Sequence, residues 1–242
     1  MSGSTEANLV EQVMQRIQKK IMSGEYAPGQ KLRQEALAAD FQVSRTPIRQ
    51  ALSQLVAQGL VDQEGQAGVV VKGLSPKDVR DIYRVRAEVE GLAAELASHW
   101  ITDPQLVKLK EIHEGFVNAV LALNRLRNDE NVNESERAEY EAAKKAWVAS
   151  NSEFHEVIYR ASCNAYLRKI IGDLHLGSSR GVIAASALGM YKHRMEKNIV
   201  HHAEILAAME ARDAIRAREA MVKHVLESGE FVAAWLENQA HS

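Results

Sequence analysis

Between Phe41 and Leu52 the chain reads Phe-Gln-Val-Ser-Arg-Thr-Pro-Ile-Arg-Gln-Ala-Leu, and this stretch constrains the fold more than any other. Ser44 is a good helix N-cap, and Pro47 suits a first helical turn, where its missing N–H costs nothing. Ile48, Leu52, Leu55 and Val56, then Leu60, recur at helical spacing and mark one apolar face. Arg45 and Arg49 are four apart and project together from the opposite side. Leu37-Ala38 and Val43 predict a short helix and a tight turn just before. Two short helices, the second presenting two arginines outward, suit a helix-turn-helix that enters a major groove. A capped surface helix of an ordinary globular protein is the alternative.

The flanks favour the first reading. Val10, Val13, Ile17 and Ile21 predict a first helix ending at Gly24, with Pro28-Gly29 as a loop. Downstream, Gly65 and Gly68 bracket a turn, and Gly68 to Val71 is β-branched, so a two-stranded hairpin is expected. Helix, helix-turn-helix and hairpin make a winged helix. Its motifs are Ile21-x-x-Gly24, Pro28-Gly29-x-x-Leu32, Leu37-Ala38, Val43-Ser44-Arg45-Thr46-Pro47-x-Arg49-x-Ala51-Leu52 and Gly59-Leu60-Val61. On these residues the first 73 positions resemble the GntR family of bacterial transcription factors. The resemblance implies that Arg33, Ser44, Arg45, Thr46, Pro47 and Arg49 meet operator DNA, with Gln66 and Gly68 on the wing. Many relatives carry Arg just before that glycine; here it is Ala67, so weaker wing contact is expected.

The 242 residues suit one large or two modest domains, and 46% hydrophobic content supports real cores. Met1 to Asn8 has no basic start or apolar centre, and a single cysteine, Cys163, excludes an internal disulfide. A cytoplasmic protein without a membrane span is expected. Residues 1–74 hold eight Lys or Arg against seven Asp or Glu, a net +1, and the remainder carries −3. Phosphate neutralisation drives DNA affinity, so the few cations must be placed locally. Arg16, Lys19, Lys20, Lys31, Arg33, Arg45 and Arg49 are the candidates. With so few, two copies on a palindromic double-stranded operator are expected, hence a homodimer.

Residues 74–76 are a linker, and Ser75-Pro76-Lys77-Asp78 opens a helix. From residue 77 to 242 the pattern is helical almost throughout, an all-α bundle of six or seven helices. Val79, Ile82, Val89 and Ala93 form one stripe; Leu106, Leu109, Ile112, Phe116 and Val120 form another. The acid-rich stretch 127–141 is expected to be a loop or an exposed helix start, with helices over about 137–161, 164–185, 190–212 and 213–237. The fold class is mainly α, a winged helix followed by this bundle. Asp81-Ile82-Tyr83-x-x-Arg86-x-x-x-Glu90, Phe154-His155, Asn164-x-x-Leu167, His202-x-x-Ile205-Leu206-x-Ala208 and Met221-x-x-His224 make the second part resemble the FCD effector domain.

Three helices each set a histidine on an apolar stripe: Val148, Asn151, His155 and Ile158; Ile199, His202, Leu206 and Met209; Ala217, Met221, His224, Ser228 and Phe231. A buried imidazole without a partner costs roughly 1–3 kcal/mol. Imidazoles converging with an oxygen ligand make a divalent-metal site; singly, each reads as a core residue bonded to a carbonyl. The resemblance supports a metal, since many FCD domains bind one through Asp-x-x-x-His and two later histidines. Here Asn151 stands at the Asp position, which weakens the site. Zinc or nickel, held by Asn151, His155, His202 and His224, is expected. His113, His175, His193 and His201 read as surface or structural. Arg86 lies on the inward stripe, where an ion pair with Glu90 and a clamp on an effector carboxylate are the two readings, with Arg180 as a second clamp. Together these describe a regulator responding to a small organic acid. A metal-dependent enzyme and a metal-free acyl-CoA-responsive regulator are the alternatives.

Overall fold

The structure, a computed structural model, describes the backbone of residues 2–22, 25–65, 68–73, 75–127, 133–186 and 192–240. It is mainly helical. Helix α1 (Ser2–Met22) buries Val10, Val13, Met14, Ile17 and Ile21 against Ile48, Leu52 and Leu55 of α3 (Arg45–Ala57). It is assigned to Met22, and Gly24, where the sequence placed its end, lies outside the described residues. Helix α2 (Gln34–Phe41) closes through Gln42 at φ 56, whose N–H bonds back to the Ala38 and Ala39 carbonyls. Ser44 does occupy the N-cap of α3 with extended backbone, but its side chain makes no capping bond.

The hairpin of β2 (Val61–Glu64) and β3 (Gly68–Val71) is present, but the sheet has three strands, not two. β1 (Lys31–Arg33) pairs antiparallel with β3, Lys31 opposite Val70 and Arg33 opposite Gly68, so β3 is central. Three residues carry too little alternation to announce a strand; only Leu32 is buried between two exposed cations. Gly68 permits the pairing, because a Cβ there would sit 2.9 Å from the Leu32 carbonyl oxygen.

Among the described residues six helices follow: α4 (Pro76–Trp100), α5 (Asp103–Arg127), α6 (Glu134–Ala161), α7 (Ala165–Ser186), α8 (Lys192–Glu210) and α9 (Ala214–Ala240). Ser75 and Asp78 close a reciprocal capping box at the start of α4. Asn133 and Glu136 do the same for α6, so that helix begins about one turn earlier than its apolar pattern suggested. Residues 128–132 lie outside the description. The core face of α4 follows the expected stripe at Val79 and Ala93 but not throughout. Val79, Tyr83, Ala87, Ala94 and Ala97 face the main core, while Ile82 and Val89 are only half-buried. Small residues hide this face from a hydrophobicity pattern, yet they let α4 and α9 approach closely.

Two glycines set that approach. A Cβ on Gly229 would lie 2.5 Å from Tyr83 Cβ, and one on Gly91 would lie 2.6 Å from Val222 Cγ2. The Tyr83 atom sits beside its own backbone and cannot swing away. Gly229→Ala therefore gains helix propensity of about 1 kcal/mol but forces the helices apart, a strain of about 1–3 kcal/mol or more. A net loss of stability in urea unfolding is expected; an unchanged midpoint would show the seam to be yielding.

Candidate functional site

On α3, Ser44, Arg45, Thr46 and Arg49 are exposed, while Ile48, Ala51, Leu52 and Leu55 are buried on the other side. The helix thus offers a polar face anchored by its apolar one. Arg45 Nη1 lies 3.1 Å from Glu35 Oε1, both well exposed; such pairs are worth little and exchange readily for a phosphate or base. Pro47 is buried and shapes the helix start rather than presenting a contact. Arg33 is exposed at the end of β1. Gly68 is buried in β3, and Gln66 lies outside the described residues, as does the side chain of Arg180.

The three histidines converge as their spacing required. His155 comes from α6, His202 from α8 and His224 from α9, all buried, with one ligand nitrogen of each within 4.8 Å of the others. Their ring centroids form a near-equilateral triangle of 5.0, 5.0 and 5.4 Å. His155 Nε2 and His224 Nε2 are 3.2 Å apart. Two nitrogens bound to one tetrahedral zinc stand about 3.3 Å apart, given Zn–N bonds of about 2.0–2.1 Å. His202 is stacked on Phe154 at 4.2 Å and tilted against Phe116 at 4.7 Å, so its ring is fixed in place. Both nitrogens of His202, and Nδ1 of His155 and of His224, are buried with no hydrogen-bond partner. His155 Nε2 and His224 Nε2 bond only each other and His202 has no hydrogen-bond partner, so a cation seated among the three would give each imidazole a partner.

Burial pushes all three imidazoles toward the neutral form a metal requires. His155 falls to about 4, with the Glu90 charge pulling weakly the other way. His202 and His224 are lowered well below the ordinary range by burial and then by their neighbouring imidazoles. Asn151 lies one turn before His155 and is half-buried. Val148, placed on the same inward stripe by spacing, is instead exposed, and Trp147 is the buried residue. The rest of that stripe holds, with His155 and Ile158 buried and Asn151 half-buried.

Beside the imidazoles lies an ionic knot. Glu90, completely buried, accepts from Arg86 Nε at 2.7 Å and from the Tyr159 hydroxyl at 2.6 Å, and sits 2.8 Å from His175 Nε2. Burial alone would raise its carboxyl; the Arg86 charge and the His175 contact outweigh that and hold it well below the usual carboxylate range. The Arg86 guanidinium also lies over the Tyr83 ring, 4.3 Å from its centroid. The ion-pair reading of Arg86 is therefore realised. Tyr159 and His175 were missed; a carboxylate four residues after an inward arginine was the available hint that more donors would gather there. His201, taken as surface or structural, is buried, and His113 and His175 are half-buried. The side chain of His193 lies outside the described residues.

Residues 9–71 match the family described as bacterial regulatory proteins, gntR family, and residues 81–227 match the FCD domain. A probable D-xylose utilization operon transcriptional repressor of Paenarthrobacter nicotinovorans is 27% identical over 98% of this chain and 92% of its own length. The HTH-type transcriptional repressor GlaR of Escherichia coli is 29% identical over 85% of this chain and 87% of that protein. Among solved structures, E. coli McbR/YncC aligns with a TM-score of 0.69 at 22% identity, covering 96% of this chain and 98% of that one, a likeness of fold. With both matches in order along one chain, this protein belongs to the GntR family of bacterial transcriptional regulators and carries an FCD domain.

Proposed function

We propose that the protein is a metabolite-responsive repressor. Residues 1–73 act as its DNA-binding domain and α4 onward as its effector-binding and dimerisation domain, the expected linker at 74–76 running into the capped start of α4 at Ser75 and Pro76. The convergence of three buried imidazoles, of which His202 has no hydrogen-bond partner and His155 and His224 only meet each other, supports the effector half of this reading. His155, His202 and His224, with Asn151, hold a divalent ion, zinc or nickel being best suited to neutral nitrogen ligands. When bound, the ion supplies an electrophilic anchor for a carboxylate. Arg86 adds positive charge nearby, though the effector must share its guanidinium with Glu90; Arg180 is the second candidate clamp. Hydrolytic chemistry has less support, since Glu90 is already engaged by three partners and is a poor general base. A metal-free acyl-CoA site would leave the imidazole nitrogens unexplained.

The test is a thermal-shift screen of small carboxylates with and without added zinc or nickel. Ligand bound to the folded state raises Tm by mass action. At least one acid should raise Tm in the metal-loaded protein alone and release operator DNA. No such acid, across hydroxy, dicarboxylic, sugar and aromatic acids, would defeat the proposal.

For the DNA half, the protein acts in the cytoplasm as a homodimer on a palindrome with half-sites about one helical turn apart. Arg45→Ala should weaken operator binding by roughly 1–3 kcal/mol if the arginine reads a guanine. Quantitative gel retardation measures this, and sedimentation of the complex should give two chains per palindrome. Wild-type affinity from the variant, or a single bound chain, would contradict the assignment.

A further inference from the structure

His201 and His202 are consecutive, so their side chains leave α8 about 100° apart. Of the two, only His202 joins the imidazoles that share one point. His201 is nonetheless buried. Its ring stands edge-on to that of His224 on α9, with centroids 5.6 Å apart and planes at 82°. Glu227, from the next turn of α9, brings Oε2 to 3.6 Å from His201 Nε2. That is long for a hydrogen bond, but the glutamate is 40% exposed and has room to close. His201 therefore meets a triad imidazole through its ring and a carboxylate through Nε2.

The placement of protons links the three groups. His224 Nε2 faces His155 Nε2 at 3.2 Å, so Nε2 is the nitrogen turned toward the shared point. A neutral His224 ligating through Nε2 carries its proton on Nδ1, which is buried without a hydrogen-bond partner among the described residues. His201 Nδ1 is buried and unpartnered as well. A carboxylate only accepts, so Glu227 favours the His201 tautomer protonated on Nε2 and leaves Nδ1 an acceptor. One ring thus holds a bare donor and its neighbour a bare acceptor. Metal-bound imidazoles almost always donate their second N–H to such a group, which fixes their tautomer and orientation. The geometry points to His201 as a positioning residue of the metal centre, resting on the metal reading proposed above. Its Nδ1 accepts from His224 Nδ1–H, directly or through one water, while Glu227 holds the Nε2 edge of its ring.

The test is the zinc affinity of the full chain, stripped with chelator and titrated against a chromophoric competitor. His201→Phe keeps the bulk but no nitrogen, and should bind zinc about 10–100-fold more weakly. His201→Asn loses bulk but sets an amide oxygen near the place of Nδ1, and should bind more tightly than the Phe variant. A packing role alone would reverse that order. Cobalt(II) in place of zinc should give matching visible spectra in wild type and His201→Asn and an altered one in His201→Phe. Glu227→Leu should weaken zinc binding while Glu227→Gln, which still accepts, should not; this surface pair keeps the test valid should His201→Phe not fold. Wild-type zinc affinity in His201→Phe or Glu227→Leu, or an Asn variant no tighter than Phe, overturns the inference and leaves the metal reading standing. A wild-type chain that takes up neither ion overturns both.

Discussion

Purified wild-type protein should carry about one divalent ion per chain, and His224→Ala or His202→Ala close to none. Each substitution removes one of the three imidazoles that, among the described residues, offer ligand atoms within 4.8 Å of one another. Both variants should become insensitive to effector while still retarding operator DNA, because their substitutions lie outside the core formed by residues 10–71. Elemental analysis paired with an operator-release assay measures both effects. Equal metal content, or full release from the variant, would refute the assignment. Acid should imitate the substitutions. In the unfolded chain His155 titrates near 6.5, but in the folded protein near 4. Between those values the unfolded state binds protons that the folded state refuses. Stability is therefore complete above about pH 6.5 and declines as pH falls toward 4, by about 3 kcal/mol for this one group. Metal loss should follow the same direction, since the protons compete for the ligand nitrogens. Denaturant unfolding of the chelator-treated protein across that range would show it.

Glu90→Gln should be the most destabilising conservative substitution in the helical part. The amide keeps the shape but removes the buried negative charge that Arg86 Nε meets at 2.7 Å. Breaking a buried pair from one side costs about 3–5 kcal/mol. The double variant Arg86→Met, Glu90→Leu should recover most of that, because replacing both charges removes the desolvation penalty along with the attraction. Urea unfolding of the three proteins gives the comparison. A double variant as unstable as Glu90→Gln would mean that Tyr159 and His175, rather than Arg86, set the value of the carboxylate.

The parts legible in the sequence were those governed by local rules. The α2–α3 unit announced itself through Val43, Ser44 and Pro47 and through the spacing from Ile48 to Leu55. The histidines were legible because each sits at helical spacing among apolar neighbours, and three such coincidences on separate helices imply one meeting point. β1 was not legible, since its pairing with β3 is decided by residues nearly forty positions away. The true inward face of α4 escaped because Ala87, Gly91 and Ala94 bury well without reading as hydrophobic. Tyr159 and His175 join Glu90 only through the packing of α6 and α7 on α4, which no periodicity within one helix encodes.

Helix α4 begins at Pro76, just past the GntR-matched residues, and runs unbroken past the ionic knot. Fourteen residues separate Pro76 from Glu90, a rigid arm of about 21 Å at 1.5 Å per residue. A tilt of about 5° pivoting near Glu90 would carry the arm's tip by about 2 Å. A displacement of that size, if passed on to α3, would exceed the tolerance of a hydrogen bond to a base edge. Under the proposed function, an effector that shifted Glu90 or Arg86 by a fraction of an ångström would have that shift enlarged along α4 before it reached the DNA-binding end.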